Sequence, residues 1–414
     1  MIIAVPKLTE GARFRQNVVM RLGWDALHAH DWSRLSHAYG PATDTPAHLK
    51  RLSDDDETAW VETIEHLYGE VTHQSAVYSA TAPAALVAAG LLASPQLGQA
   101  ISVNGWQPEP VRAYLLGFLA AVAEGAEPDR TEKELWEAYC TPRRSGASSV
   151  WDEEPDPGGY EAVIQCRSVS PALVDPVLQC LTDHDLRTRV AAARTAALLC
   201  QVPTVASRRT EIITLIETHA RNAGTYYEKA KTLVELDQIG AVNRDFLSDP
   251  DSGIRLLAAL ASNLTDDPEG TRVILEALAD PDQFGDWYPD PHLMLLGRDD
   301  HSPSHLVSEA VRRVPDFAEL LPTALAVAAR AGHSTGYPDW GLLLEAAFPP
   351  PQRFSVNSPL NEAQRAYLRA LLDNSEIWRP GPPETFWTPD KLFALVRLPH
   401  DRQLLAAIVN SSGG

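Results

Sequence analysis

The chain has 414 residues, 44% of them hydrophobic, with 55 acidic against 35 basic side chains and a formal charge of -20. It is long enough for a large core or several. Its acidity disfavours nucleic acid, whose phosphates it repels, and favours a basic protein partner. No run approaches the roughly 18 apolar residues of a membrane span, so no membrane partner is expected. The four cysteines (Cys140, Cys166, Cys180 and Cys200) are too few for a disulfide scaffold and include no C-x-x-C pair. Buried thiols in a reducing, cytoplasmic setting are expected.

Residues 1–19 read as an extension ahead of the fold. Their brief apolar run before Lys7 lacks the centre and cleavage site of a signal peptide. The segment RLGWDALHAHDWSRLSHAYG from Arg21 is the compact opening, and residues 41–46 form a proline-bounded turn. Trp60, Ile64, Leu67 and Val71 recur at helical spacing and predict a helix over about 57–69, ended or bent at Gly69. A small-residue helix follows at 82–92, then helices at 108–123 and 131–140. Residues 141–160 lose periodicity and concentrate Pro, Gly and Ser, as a linker does.

Helical stripes then succeed one another over 171–181, 186–200, 207–220, 226–236, 254–264 and 271–279. The pattern loosens into Pro-, Trp- and Asp-rich turns to 303, then resumes at 303–314, 317–331 and 339–348. A second linker at 349–360 precedes tail helices at 362–372, 389–396 and 402–409. No period-two strand pattern stands out.

Leu186, Val190, Ala193, Ala197 and Cys200 share one helical face, and Ile254, Leu257, Ala258 and Ala261 share another. Each stripe follows a turn of form Leu-x-Asp-x-Asp, found at Leu52, Leu181, Leu247 and Leu278. The spacing from Leu181 to Leu247 is 66 residues and from Leu247 to Leu278 is 31, so a unit near 32 residues fits one helical hairpin. In two turns an arginine stands six residues after the first aspartate: Asp183 with Arg189 and Asp249 with Arg255. Trp60 and Asp286 occupy the equivalent places of the others.

On these residues the chain resembles the HEAT-repeat family, best over 160–280. The resemblance implies an all-α, irregular HEAT-like α-solenoid of stacked helical hairpins, with each arginine contacting a turn aspartate. The implied organisation is an N-terminal extension (1–19), N-terminal helical hairpins (20–140), a linker (141–160), HEAT-like repeats (161–348), a second linker (349–360) and a C-terminal helical cap (361–414). The opening and the tail, including LPHDRQLLAAIV, also resemble uncharacterised actinobacterial HEAT-like proteins, some of which sit beside polymorphic toxins.

Three groups of residues are candidates for chemistry. Tyr68, His73, Gln74 and Tyr78 gather polar rings in an apolar hairpin; His73 suits a general base and Gln74 an amide ligand, with a structural network as the competing explanation. Asp286, Trp287, Tyr288 and Asp290, and Tyr337 with Trp340, belong to aromatic-Pro-Asp turns, as does Asp390. Such turns start helices, and they also suit a cage for a cation or basic peptide. Asp299, His301 and His305, with His292, have metal-ligand chemistry, but Ser302 as the cap of a helix starting at Pro303 is the preferred explanation, and no metal ligands are assigned.

No Walker loop, dinucleotide fingerprint, HExxH or GxSxG is present, so no cofactor is implied. The expected function is a non-enzymatic protein-interaction module that binds a basic partner on an acidic concave surface, in its sharpest form a toxin-neutralising protein. The alternative is an enzyme or small-molecule binder with a pocket near His73 or residues 286–305. A HEAT-like DNA glycosylase needs a basic face, which the charge opposes.

Overall fold

The computed structural model describes residues 20–105, 107–141, 155–279, 303–332, 337–355, 358–379 and 388–411. These are mostly helical, with two hairpins of two-residue strands. The chain is all-α, as its periodicity predicts. Among the described residues no single helix is long and apolar enough to cross a membrane. The chain divides into two compact units, residues 1–219 and 220–414, within the stretch that the sequence reads as one repeat block.

The first unit opens with α1 (Trp24–Ala29), hairpin β1 (Ser36–His37) and β2 (Gly40–Pro41), α2 (Thr45–Lys50) and α3 (Glu57–His66). Asp56 caps α3 by accepting the Thr58 amide at 3.0 Å, while Trp60, Ile64 and Leu67 are buried. The helix does not stop at Gly69. It widens into a π-helical turn over Leu67–Val71, closed because the amide and the hydroxyl of Thr72 both donate to the Leu67 carbonyl at 3.0 Å. The chain then leaves through Gln74 and Ser75, both at positive φ.

Next come α4 (Thr81–Leu91), hairpin β3 (Ala100–Ile101) and β4 (Glu109–Pro110), α5 (Val111–Gly125), α6 (Glu132–Cys140) and α7 (Pro157–Gln179). Helix α4 is buried on nearly all sides, which explains its unbroken small apolar composition. Gly90 near its end lies against the backbone of Leu22 and Gly23, and the Gly23 amide donates to the Leu86 carbonyl at 3.0 Å.

Helix α7 differs from expectation. It begins at Pro157, capped by Asp156, and runs through Pro171, where the sequence suggests a start, and through Pro176. Pro171 lies on the exposed side and lacks the amide that would serve the Arg167 carbonyl. The Thr204 hydroxyl serves that carbonyl instead, at 2.5 Å. Helix α8 (Leu186–Leu199) packs with α5 and α7; Ala193, Ala197 and Cys200 of its predicted stripe are buried, Leu186 and Val190 half-buried.

Three of the Leu-x-Asp-x-Asp turns are built alike. Each ends a short 3-10 turn on its first aspartate (Asp54, Asp183 or Asp249), and its second aspartate (Asp56, Asp185 or Asp251) caps the next helix. In the latter two, the first carboxylate also accepts the second aspartate's amide, at 2.8 and 2.9 Å. The arginines turn out to serve the backbone. Arg189 donates to the Asp183 carbonyl and Arg255 to the Asp249 carbonyl, both at 2.9 Å. The carboxylates go to cations on earlier helices: Arg112 of α5 pairs with Asp183, and Lys229 with Asp249 at 2.9 Å. The fourth turn, at 280 and 282, lies outside the described residues.

Helix α9 (Arg209–Asn222) spans the division. The second unit continues with α10 (Tyr226–Gln238), α11 (Ser252–Ala259), α12 (Pro268–Ala279), α13 (Pro303–Arg313), α14 (Phe317–Arg330), α15 (Leu342–Ala347), α16 (Glu362–Asp373), α17 (Pro389–Leu395) and α18 (Arg402–Asn410). Ile254, Leu257, Ala258 and Ala261 are all buried, as their spacing predicts.

Trp340 is corrected from candidate aromatic cage to core: it is fully buried, 5.8 Å from the Phe393 ring, and its carbonyl accepts the Tyr367 hydroxyl at 2.8 Å. Tyr337 begins the π-helical turn ahead of α15. The indole packs beside Phe393 of the tail, so the aromatic-Pro-Asp pattern here marks a helix entry.

Cys166, Cys180 and Cys200 are buried and Cys140 half-exposed. Burial pushes the Cys166 thiol up to about 12 and Cys180 to about 11. Alkylation by iodoacetamide at about pH 8 is therefore expected to modify Cys140 first in the folded protein and all four thiols after denaturation. Rapid native labelling of Cys166, read by peptide mass, would contradict this packing.

Candidate functional site

The polar face of α3 and its π-helical extension carries Glu62, Glu65, His66, Gly69 and Glu70, spaced three, one, three and one residues apart. Its apolar face carries Trp60, Ile64 and Leu67 into the core. The polar face looks onto β1–β2 and α2, and between them lies an open cleft of about 420 Å³, which Tyr39 and His48 also line. Two backbone bonds fix the hairpin here: Ala38 donates to the Glu70 carbonyl at 3.0 Å and Ala80 to the Ser36 carbonyl at 3.1 Å. Gly40, at φ 128°, makes the turn that returns the chain from His37 to Asp44.

His37 is the pivot. Its side chain is only 5% exposed, and Nε2 lies 3.2 Å from Asp44 Oδ1 and 3.4 Å from Glu70 Oε2. Nδ1 accepts the Tyr39 amide at 3.1 Å, so the proton of the neutral ring sits on Nε2. That single N–H faces two carboxylates and satisfies one.

The second oxygen of Glu70 lies 3.4 Å from His66 Nδ1, and His66 Nε2 is 2.9 Å from the Thr45 hydroxyl. His48 stacks on His66 at 4.2 Å, and His37 meets it edge-on at 5.5 Å. His66 Nδ1 and His48 Nδ1 are buried without a hydrogen-bond partner.

Burial holds His66 and His48 below the usual imidazole pKa; for His66 the neighbouring His48 adds to this and Glu70 opposes it. For Asp44, burial works upward, but its own amide, the His37 hydrogen bond and the nearby imidazoles outweigh it and lower the carboxyl. Asp44, Glu62, Glu65 and Glu70 thus surround imidazoles held toward neutrality. Among the described residues no Lys or Arg lines the cleft, although Arg51 pairs with Glu62 beside it.

Thr45, His66 and Glu70 stand in the order nucleophile, base, acid. Thr45 is 0% exposed, so no substrate reaches it, and the trio acts as a brace between α2 and α3. Metal chemistry fits the neighbouring trio better. Ligands about 2.0–2.1 Å from a tetrahedral ion stand roughly 3.3 Å apart. His37 Nε2 meets that edge length to Asp44 and to Glu70, and all three ligand atoms lie within 4.8 Å of one another.

Coordination would move the ring proton to Nδ1 and give up the Tyr39 amide bond. That costs about 1 kcal/mol, small against the roughly 10 kcal/mol or more of zinc binding to structural protein sites.

His73 borders this region: its ring meets Tyr39 edge-on at 5.4 Å and its Nδ1 is 2.8 Å from the Gly69 carbonyl. The other residues of its predicted group do not converge with it. Tyr68 leaves much of its ring exposed but inserts its hydroxyl against α5, donating to the Tyr114 carbonyl at 2.8 Å over Gly117; burial of that hydroxyl raises its pKa. Gln74 is exposed on the positive-φ turn. Tyr78 is half-buried, its amide bonded to the Thr81 hydroxyl at 2.9 Å.

Asp286, Trp287, Tyr288 and Asp290 lie outside the described residues, as do His292, Asp299 and His301; His305 is half-buried in α13. Sequence reasoning missed His37, Asp44, His66 and Glu70. The signal available was the acidic face of α3, whose continuation past Gly69 brings Glu70 back onto it. In comparison with known proteins, no family model, no curated protein and no solved structure matches the chain.

Proposed function

We propose that the chain is a non-enzymatic binding module of HEAT-like helical hairpins, stacked as an α-solenoid, and that it engages a basic protein partner. The observation that carries this reading is the cleft of the first unit: three glutamates line it, no Lys or Arg among the described residues does, and Tyr39 lines it 69% exposed. A lysine or arginine from a partner meets paired carboxylates there, with an aromatic face for cation–π contact. The repeated turns support the architecture, since the turns at Asp183 and Asp249 each couple a helix cap to a cation on an earlier helix. A toxin neutralised by charge complementarity is the sharpest form of the reading.

The test is titration with lysine- and arginine-rich peptides. Affinity is expected to fall about tenfold or more between low and physiological salt, as screening shortens to about 8 Å. It should fall further in Glu62→Lys/Glu65→Lys with helicity unchanged. Binding that ignores both salt and charge reversal would overturn the proposal.

A further inference from the structure

We infer that His37 Nε2, Asp44 Oδ1 and Glu70 Oε2 form a binding site for one divalent metal ion of the zinc class. The inference goes beyond the partner reading; Glu70 belongs to both, but Glu62 and Glu65, which the peptide test reverses, take no part in the ligand set.

The first ground is geometric. The two nitrogen–oxygen separations, 3.2 and 3.4 Å, are those of ligands already sharing a tetrahedral ion. The elements that hold them are independent: His37 on β1, Asp44 ahead of α2, and Glu70 on the π-helical turn. Backbone bonds tie the hairpin to that turn, so the trio is assembled by the fold rather than by one flexible loop.

The second ground is unmet hydrogen bonding. One imidazole N–H faces two carboxylates and answers one, whereas a dication answers both. Behind Glu70, His66 is 3% exposed and its Nδ1 has no hydrogen-bond partner, though it lies 3.4 Å from Glu70 Oε1. An ion drawing on Oε2 leaves Oε1 to accept from His66 once the carboxylate settles. A ligating carboxylate oriented by a buried donor is the usual outer-shell arrangement of metal sites. One imidazole and two carboxylates suit zinc, cobalt and manganese, and three protein ligands leave a position for water. Binding requires the His37 lone pair on Nε2, which moves the ring proton to Nδ1 and displaces the Tyr39 amide.

The test uses the full chain, freed of metal by chelator, titrated with zinc by calorimetry and with cobalt by visible absorption. One equivalent is expected to bind, with the intense absorption of a tetrahedral cobalt ion. Asp44→Asn, which preserves shape, should weaken binding at least tenfold, and His37→Ala more. His73→Ala, at the cleft border, should bind as the wild type does.

In amide NMR spectra the Tyr39 resonance should shift on zinc addition. Zinc should also raise the unfolding temperature of the wild type but not of Asp44→Asn, which separates loss of the site from loss of the fold. A folded wild type that binds no zinc, or equal zinc affinity in wild type and Asp44→Asn, would overturn the inference. Peptide binding in the same preparation reports separately on the partner reading.

Discussion

Replacing Arg112 with alanine is expected to destabilise the first unit by about 3–5 kcal/mol, the cost of stranding a buried charge. Arg112 and Asp183 are 8% and 9% exposed in their side chains. The guanidinium also donates through Nε to the Leu92 carbonyl at 2.6 Å and through Nη2 to the Ser94 carbonyl at 2.9 Å. One side chain thus closes the end of α4, braces α5 and neutralises the turn ahead of α8. Its loss leaves the Asp183 carboxylate without its cation and the buried Leu92 carbonyl without the guanidinium donor, while the Ser94 carbonyl keeps the Leu97 amide.

Lysine at this position keeps the charge but not the fork, so it should recover only part of the loss. Urea unfolding followed by circular dichroism measures both variants. A loss below about 1 kcal/mol would show that the pair is solvated and that the turn is held by other means.

Gly90→Ala should cost about 3 kcal/mol or more, although the same change in a helix interior normally gains about 1 kcal/mol. A Cβ at position 90 would stand 2.7 Å from the Leu22 carbonyl carbon and nearer still to the Gly23 backbone. Backbone cannot rotate aside as a side chain does, so α1 and α4 must separate and the Gly23–Leu86 hydrogen bond must lengthen. Gly69→Ala is the control: a Cβ there meets nothing within 4 Å, so its unfolding temperature should hold or rise slightly. If Gly90→Ala proves as stable as Gly69→Ala, the close crossing of α1 and α4 is wrong.

The helices were legible because their faces are amphipathic and their caps local. Asp56, Thr131, Asp185, Asp251 and Asn361 each accept an amide within the next three residues, a relation visible in one dimension. Helix α7 departs from expectation because proline usually begins a helix, and only the distant Thr204 shows why Pro171 is tolerated inside this one. The histidine–carboxylate trio was hidden for a related reason. His37, Asp44 and Glu70 come from a hairpin, a helix entry and a π-helical turn, and no periodicity joins them. The arginine ladder was half right: six-residue spacing does place Arg189 and Arg255 over their turns, but on carbonyls, because the carboxylates are taken by Arg112 and Lys229.

The pairing of Pro171 with Thr204 also bears on how this sequence can drift. Proline at 171 creates an unserved carbonyl at Arg167, and the hydroxyl at 204 is the device that serves it. At this carbonyl the two residues answer one another. A chain with an ordinary amide at 171 supplies the helical bond itself and frees position 204 to become alanine or valine, while a chain that loses the hydroxyl first carries a bare carbonyl until the proline follows. The two positions are 33 residues apart in sequence, and they should change together across descendants of this chain, in an order set by that asymmetry.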